Sequence, residues 1–263
     1  MRIIAILCVL LAVGLVHEAA AQPYQPDIPE FRKVARSQDE FSELPVYYAI
    51  ERGATLYHAS DSSRAYLHLR FREPLQVLEY GPRWTRVQTM DGAAGVVKTE
   101  HISNVWIRVS KKEQTLYLYR GPRLMAKYAT DLGYNFFADK ERRGSAAEPD
   151  HWRTPNGEFF VVRKNPQSEF YRAFVLNYPN GEDAERGRRA GLITDSQYEA
   201  IIRAERFAEV PPMNTELGGF IEIHGDGTGR RSNWTYGCIA VRNDEIDLLW
   251  NFVEVGTPVL IDS

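Results

Sequence analysis

Apolar positions along the chain fall into regimes of different period. Ile3 to Val16 is an almost unbroken apolar run behind Arg2, and Ala19-Ala20-Ala21 ahead of Gln22 has the character of a cleavage site. Residues 1–21 therefore have the form of an export signal. The run is short for a bilayer span and meets the cleavage signature at once, which favours removal over a permanent anchor. Residues 22–45, rich in Pro and charge, are expected to be a linker with room for one short helix. From 46 to 104 the period drops to two. YYAI, ATLYHA, LQVLEY, TRVQTM and AAGVVK are separated by Arg52-Gly53, Gly81-Pro82 and Asp91-Gly92, the spacing of a small all-β barrel.

A second β-rich region runs from 105 to 263. WIRVS, TLYLYRG and LMAKYAT are expected strands, the last two joined at Arg120-Gly121-Pro122. Glu158 to Arg163, Gly219 to Ile223 and Val259 to Ile261 are further expected strands. Ile201, Ile202 and Phe207 have helical spacing behind a cap at Thr194 or Asp195, and Asn243 is expected to cap a helix running to about Val253. The charge run Glu182 to Arg189 predicts a solvated loop, long enough to act as a lid. The fold class expected is mainly β: a small barrel followed by a larger β-rich domain with a few helices.

Composition fits a globular protein, with 44% hydrophobic and 25% charged residues. A net charge of -3 marks neither a nucleic-acid binder nor a strongly basic membrane-surface protein. Cys8 would leave with the signal, so the mature chain keeps one thiol, Cys238, and no internal disulfide. An unpaired thiol in an oxidising compartment is either buried and inert or reactive. His58, His68, His101 and His151 show no metal-ligand spacing, and no metal or cofactor is called for. Gly225, Gly227 and Gly229 lack the lysine of a phosphate loop and the following helix of a dinucleotide site.

Chemistry concentrates in FIEIHGDGTGRRSNWTYGCIAVRNDEIDLLW, from Phe220 to Trp250. A strand delivers His224, a polar Gly-rich loop follows, and Gly237-Cys238 opens a second apolar stretch, Ile239 to Val241. A thiol near pH ~8.5 needs a base or cation to become nucleophilic, and His224 is the nearest candidate. Backbone N–H groups at Gly237 and Cys238 could form an oxyanion hole. A His and a Cys fourteen positions apart also occur by chance, so these residues alone leave the catalytic and inert readings open.

The segment resembles the signature of the L,D-transpeptidase family (the YkuD-type domain): an apolar strand ending in His-Gly, a variable loop, then Ser or Thr, one residue, Gly-Cys and an apolar strand. Here these are Ile223-His224-Gly225 and Thr235-Tyr236-Gly237-Cys238-Ile239. The resemblance extends to TLYLYRG, to Thr154-Pro155-Asn156-Gly157 and to KNPQSEFYRAFVLNYPN, covering about the last 160 residues. LQVLEYGPRWTRVQTMDGAAGVVKTEHI likewise resembles the bacterial SH3-like domain, with Trp84 and Tyr80 as either wall-binding or packing residues. The resemblance implies a β-rich enzyme whose Cys238 takes the acyl group of a diaminopimelate residue from a peptidoglycan stem peptide, with His224 as base. The Gly225 carbonyl would orient the imidazole. An amine of another stem peptide or of a wall-anchored protein would resolve the thioester, in the periplasm or cell envelope.

Two positions depart from the commonest pattern: Tyr236 stands where many members carry a second His, and Ala240 where many carry an Arg. Carboxylate recognition is therefore expected from Arg242, Arg230 or Arg231. Tyr236, Thr235 and Trp234 are expected to contact substrate, while Asp226 is expected to be a turn-former. Alternatives are an L,D-carboxypeptidase or amidase-type hydrolase on the same scaffold, with water as acceptor, and a catalytically silent wall-binding protein. Papain-like wall peptidases place the Cys before the His, the reverse of the order here.

Overall fold

In the computed structural model the described residues are 44–263. The export signal expected at 1–21 and all but the last two residues of the expected linker lie outside them.

The alternating segments after Leu44 form β1 (Val46–Ala49), β2 (Thr55–His58), β3 (Asp61–His68), β4 (Pro74–Glu79), β5 (Trp84–Thr89), β6 (Ala94–Lys98) and β7 (Ile102–Ser103). They make one antiparallel sheet in the order β3-β2-β6-β5-β4-β1-β7. In β4, β5 and β6 every second residue points inward, so that Leu75, Val77, Val87 and Val97 close a small core with Leu56 of β2. Trp84 is half-buried edge-on against Tyr57, whereas Tyr80 is exposed. Arg72 fixes this sheet to the rest of the chain: its Nε donates to the Gly256 carbonyl and its guanidinium lies over the Phe160 ring.

The larger sheet uses β8 (Val105–Ser110), β9 (Thr115–Arg120), β10 (Arg123–Ala129), β12 (Gly157–Ser168), β13 (Tyr171–Leu176), β14 (Glu222–His224), β16 (Ile239–Ala240) and β17 (Pro258–Asp262). Its order is β10-β9-β8-β17-β12-β13-β14-β16, with parallel pairs only at β8–β17 and β14–β16. Two short strands, β11 (Leu132–Gly133) and β15 (Asn233–Thr235), pair separately and in parallel. Ile107, Leu116, Phe174, Ile223, Ile239 and Val259 are fully buried in one continuous core. That core fixes the register of the central strands, because a one-residue slip would turn every apolar side chain to the opposite face.

Three expectations need correction. The charge run is not a loop: Gly181–Arg189 is helix α1, begun by Asn180, whose side chain accepts from the Asp183 N–H while the Asp183 carboxylate accepts from the Asn180 N–H. It escaped the periodicity because its buried face is made of small residues, Ala184 and Gly187, and Gly187 packs against Leu217 with no room for a Cβ. Thr194 caps α2 (Asp195–Arg206) as expected, through Gln197. The strand expected at Gly219 begins only at Glu222, because Phe220 takes φ +55°, a left-handed conformation that breaks the extended backbone there. Finally, α3 (Asn243–Trp250) begins behind Arg242, whose N–H is received by Glu245; Asn243 is inside the helix and bonds Asp226 instead.

Asn180 also donates from Nδ2 to the Glu158 carbonyl in β12, so it joins helix to sheet. Asn180→Ala is expected to cost about 2 kcal/mol of unfolding free energy, the loss of a cap plus a buried hydrogen bond, measured by urea denaturation.

Candidate active site

The parallel pairing of β14 with β16 places the two reactive side chains. Ile223 lies opposite Ile239, both in the core, so alternation turns Glu222, His224 and Cys238 to the other face. All three line one groove of about 780 Å³.

His224 is nearly inaccessible, and its ring is fixed from several sides. Nδ1 lies 2.7 Å from the Gly225 carbonyl, which can only accept, so Nδ1 carries the proton and Nε2 is the basic nitrogen. Phe170 stacks on the imidazole at 4.5 Å and Trp234 meets it at 6.1 Å. Burial holds the imidazole below its ordinary pKa, opposed by the Gly225 hydrogen bond and by the charges of Asp226 and Asp131. His224 is therefore neutral at pH 7.

Cys238 is half-buried by surface area but packed in on all sides, and its Sγ donates to the Phe220 carbonyl at 3.2 Å. The left-handed turn at Phe220 aims that carbonyl at the sulfur. Burial pushes the thiol up to about 12, reinforced by the Glu222 carboxylate and opposed by Lys140. The resting group is thus a neutral thiol beside a neutral imidazole.

The loop from Asp226 to Trp234 is organised by a residue that the sequence did not single out. Asp131, fully buried, accepts from Thr228 N–H at 2.6 Å, Thr228 Oγ1 at 2.9 Å, Ser232 N–H at 2.8 Å and the Trp234 indole N–H at 3.0 Å. Its backbone exchanges two hydrogen bonds with Ala240, two residues beyond the thiol. Nothing local could have found it, since it lies 97 residues before Thr228.

The expected substrate-contacting residues divide. Trp234, Thr235 and Tyr236 line the groove, Tyr236 stacked on Trp152 at 4.3 Å. Thr235 is buried; its Oγ1 accepts from the Gly237 N–H and donates to the Cys238 carbonyl, so it braces the turn that carries the thiol. The Gly237 N–H is accordingly engaged within the protein. Gly237 adopts φ +129°, and a Cβ there would lie 2.5 Å from the Arg153 carbonyl. Gly225 is crowded too, with its N–H given to the Arg172 carbonyl. Arg230 and Arg242 do not line the groove. Arg242 pairs with Glu245 at 3.0 Å and Asp244 at 3.4 Å, and its stem packs on Gly229. The cations at the groove are Lys140, Arg143 and Arg163, from segments distant in sequence. Lys140 is brought down to about 8 by burial.

Two predictions follow from this geometry. Asp131→Ala would leave four donors without this acceptor and is expected to destabilise the fold by about 3–5 kcal/mol in chemical denaturation, with a change in tryptophan fluorescence from Trp234. Alkylation of Cys238 by iodoacetamide, without substrate, is expected to rise about tenfold per pH unit from pH 7 to 10 with no plateau near ~8.5, as a thiol with pKa about 12 requires.

The family model for the YkuD L,D-transpeptidase catalytic domain matches residues 104–261. Among solved structures, Bd1075 of Bdellovibrio bacteriovorus is 23% identical, with 62% of this chain and 48% of that one covered at a TM-score of 0.38. An L,D-transpeptidase (residues 123–326) from Xylanimonas cellulosilytica is 17% identical, with 60% of each chain covered at 0.36. An L,D-transpeptidase from Mycobacterium smegmatis is 14% identical, with 91% and 88% covered at 0.35. The match thus spans about half the length of the first of these and 60% of the second. Comparison with curated proteins returned no match.

Proposed function

This chain belongs to the YkuD family of L,D-transpeptidase catalytic domains, and from that premise we propose that it is an exported enzyme that acylates Cys238 with peptidoglycan stem peptides. The observation that carries this reading is that His224 at the end of β14 and Cys238 just ahead of its parallel partner β16 line one groove, with Nε2 as the unprotonated nitrogen.

Each step assigns a proton. As the sulfur attacks the carbonyl at the L-centre of a diaminopimelate residue, the thiol proton passes to Nε2 of His224. Because both groups are neutral at rest, charge develops only along the reaction, where the Gly225 carbonyl receives Nδ1–H and the Asp131 and Asp226 charges favour the imidazolium. The oxyanion takes the Cys238 N–H, since the Gly237 N–H is held by Thr235. Collapse expels the terminal D-alanine, whose nitrogen takes the proton from the imidazolium and leaves a thioester. An amine of a second stem peptide or of a wall-anchored protein then gives its proton to Nε2, attacks the thioester and restores the thiol. Water in place of the amine gives a carboxypeptidase. Lys140 and Arg143, which line the groove as Arg230 and Arg242 do not, would meet the carboxylate of the leaving residue. Residues 46–104 are read as an SH3-like module that would hold the enzyme at the wall.

Intact mass measurement after incubation with a diaminopimelate tetrapeptide is expected to show a tripeptide adduct on wild type and none on Cys238→Ala. Cross-linked product with an added amine identifies a transferase; free tripeptide alone identifies a hydrolase. No adduct on folded, reduced wild type would sink the proposal. The imidazole sits below its ordinary 6.5 and acts as the unprotonated base, so kcat/KM is expected to stay flat down to pH 6.5 and fall only in more acid solution.

A further inference from the structure

The groove holds two opposite charges that the thiol chemistry leaves unused. Glu222 stands two residues before His224 on β14 and therefore projects from the same face. Carried one residue past the end of β16, the β14–β16 register brings it beside Cys238, and the Glu222 carboxylate acts on the thiol. Arg163 belongs to the same cross-strand row, since it pairs with Val175 in β13 and Val175 pairs with Glu222. Arg163 thus lies two strand spacings beyond Glu222, on the side away from the thiol, and its long side chain also lines the groove.

Neither charge is satisfied from within. Among the described residues the Glu222 carboxylate has no hydrogen bond or ion pair, and neither has the Arg163 guanidinium. Other cations of this region are differently placed. Arg153 pairs with Glu141 and Asp150, Lys164 pairs with Glu254, and Arg143 donates to the Thr215 and Met213 carbonyls. Glu222 is partly buried, and burial raises its pKa, partly offset by Arg163. A half-desolvated carboxylate facing an unbonded guanidinium across a groove is unfavourable when empty and favourable once a ligand supplies both complementary charges.

We propose that Glu222 and Arg163 form a receptor for a zwitterionic α-amino-acid head group, with the ammonium on Glu222 and the carboxylate on Arg163. Such a head sits at the far end of a diamino-dicarboxylic side chain, so the pair would select stem peptides by a group several bonds from the reacting carbonyl. The inference rests on the stem-peptide reading of the groove. It also sets a polarity: the ammonium lies beside the nucleophile and the carboxylate farther along the strands.

The test is calorimetric titration of the mature protein with three tripeptides: one ending in diaminopimelate, one with its distal amine acetylated and one with its distal carboxylate amidated. On wild type each modification is expected to weaken binding about 10–100-fold, the range of one charge-assisted contact. On Glu222→Gln, acetylation is expected to have no further effect while amidation keeps its full effect. On Arg163→Met the pattern is expected to reverse. Both variants replace side chains that reach the groove, and circular dichroism would verify their fold. Equal affinity of wild type for all three ligands, a uniform loss across ligands in the variants, or no binding at all would overturn the receptor. The adduct measurement on Cys238 scores the chemistry separately. An adduct without this binding pattern removes the receptor alone, and the pattern without an adduct removes the thioester chemistry alone.

Discussion

The carboxylate of Asp131 is the constraint on which the site depends. A polar loop of several glycines has little apolar surface with which to define its own shape, and its conformational entropy opposes any single arrangement. One buried anion receiving two backbone N–H groups, a hydroxyl and an indole N–H supplies that definition from outside the loop. The same contacts aim Trp234 at the imidazole, and the backbone of Asp131 holds the strand that follows the thiol. The imidazole of His224 and the thiol of Cys238 are thereby positioned by one residue that touches neither.

The electrostatics of the resting site follow from enclosure. Burial disfavours the ionised form of both partners, lowering the imidazole and raising the thiol. A preformed thiolate–imidazolium pair would need those charges to exist before substrate arrives. A neutral pair keeps the sulfur protonated and less prone to oxidation until a carbonyl is bound. The cost is that proton transfer must accompany attack.

Features encoded locally were legible in the sequence and those encoded across the fold were not. Alternation revealed most strands because one buried face per sheet enforces it, and Thr194 was legible because a cap bonds residues three apart. Helix α1 was missed because its buried side is Ala and Gly, which leave no apolar stripe to detect. His224 and Cys238 were legible as a motif. Arg230 and Arg242, chosen for closeness in sequence, are absent from the groove lining, whereas Lys140, Arg143 and Arg163 reach it from other segments. Phe220 shows the limit most plainly: an apolar residue in an apolar run reads as strand, yet its left-handed backbone ends the ladder and turns a carbonyl to the sulfur.

The strand that follows Cys238 is only two residues long and lies last in its sheet. Left bare, such a border would invite any extended chain to dock alongside by main-chain hydrogen bonding. The two-way bond between Asp131 and Ala240 occupies that border. For the stem peptide proposed above, the lateral route is thereby closed, and it would descend onto the sheet from above, across the aromatic walls, to bring its carbonyl to the sulfur. The fold filters its visitors by direction of approach as well as by their charges.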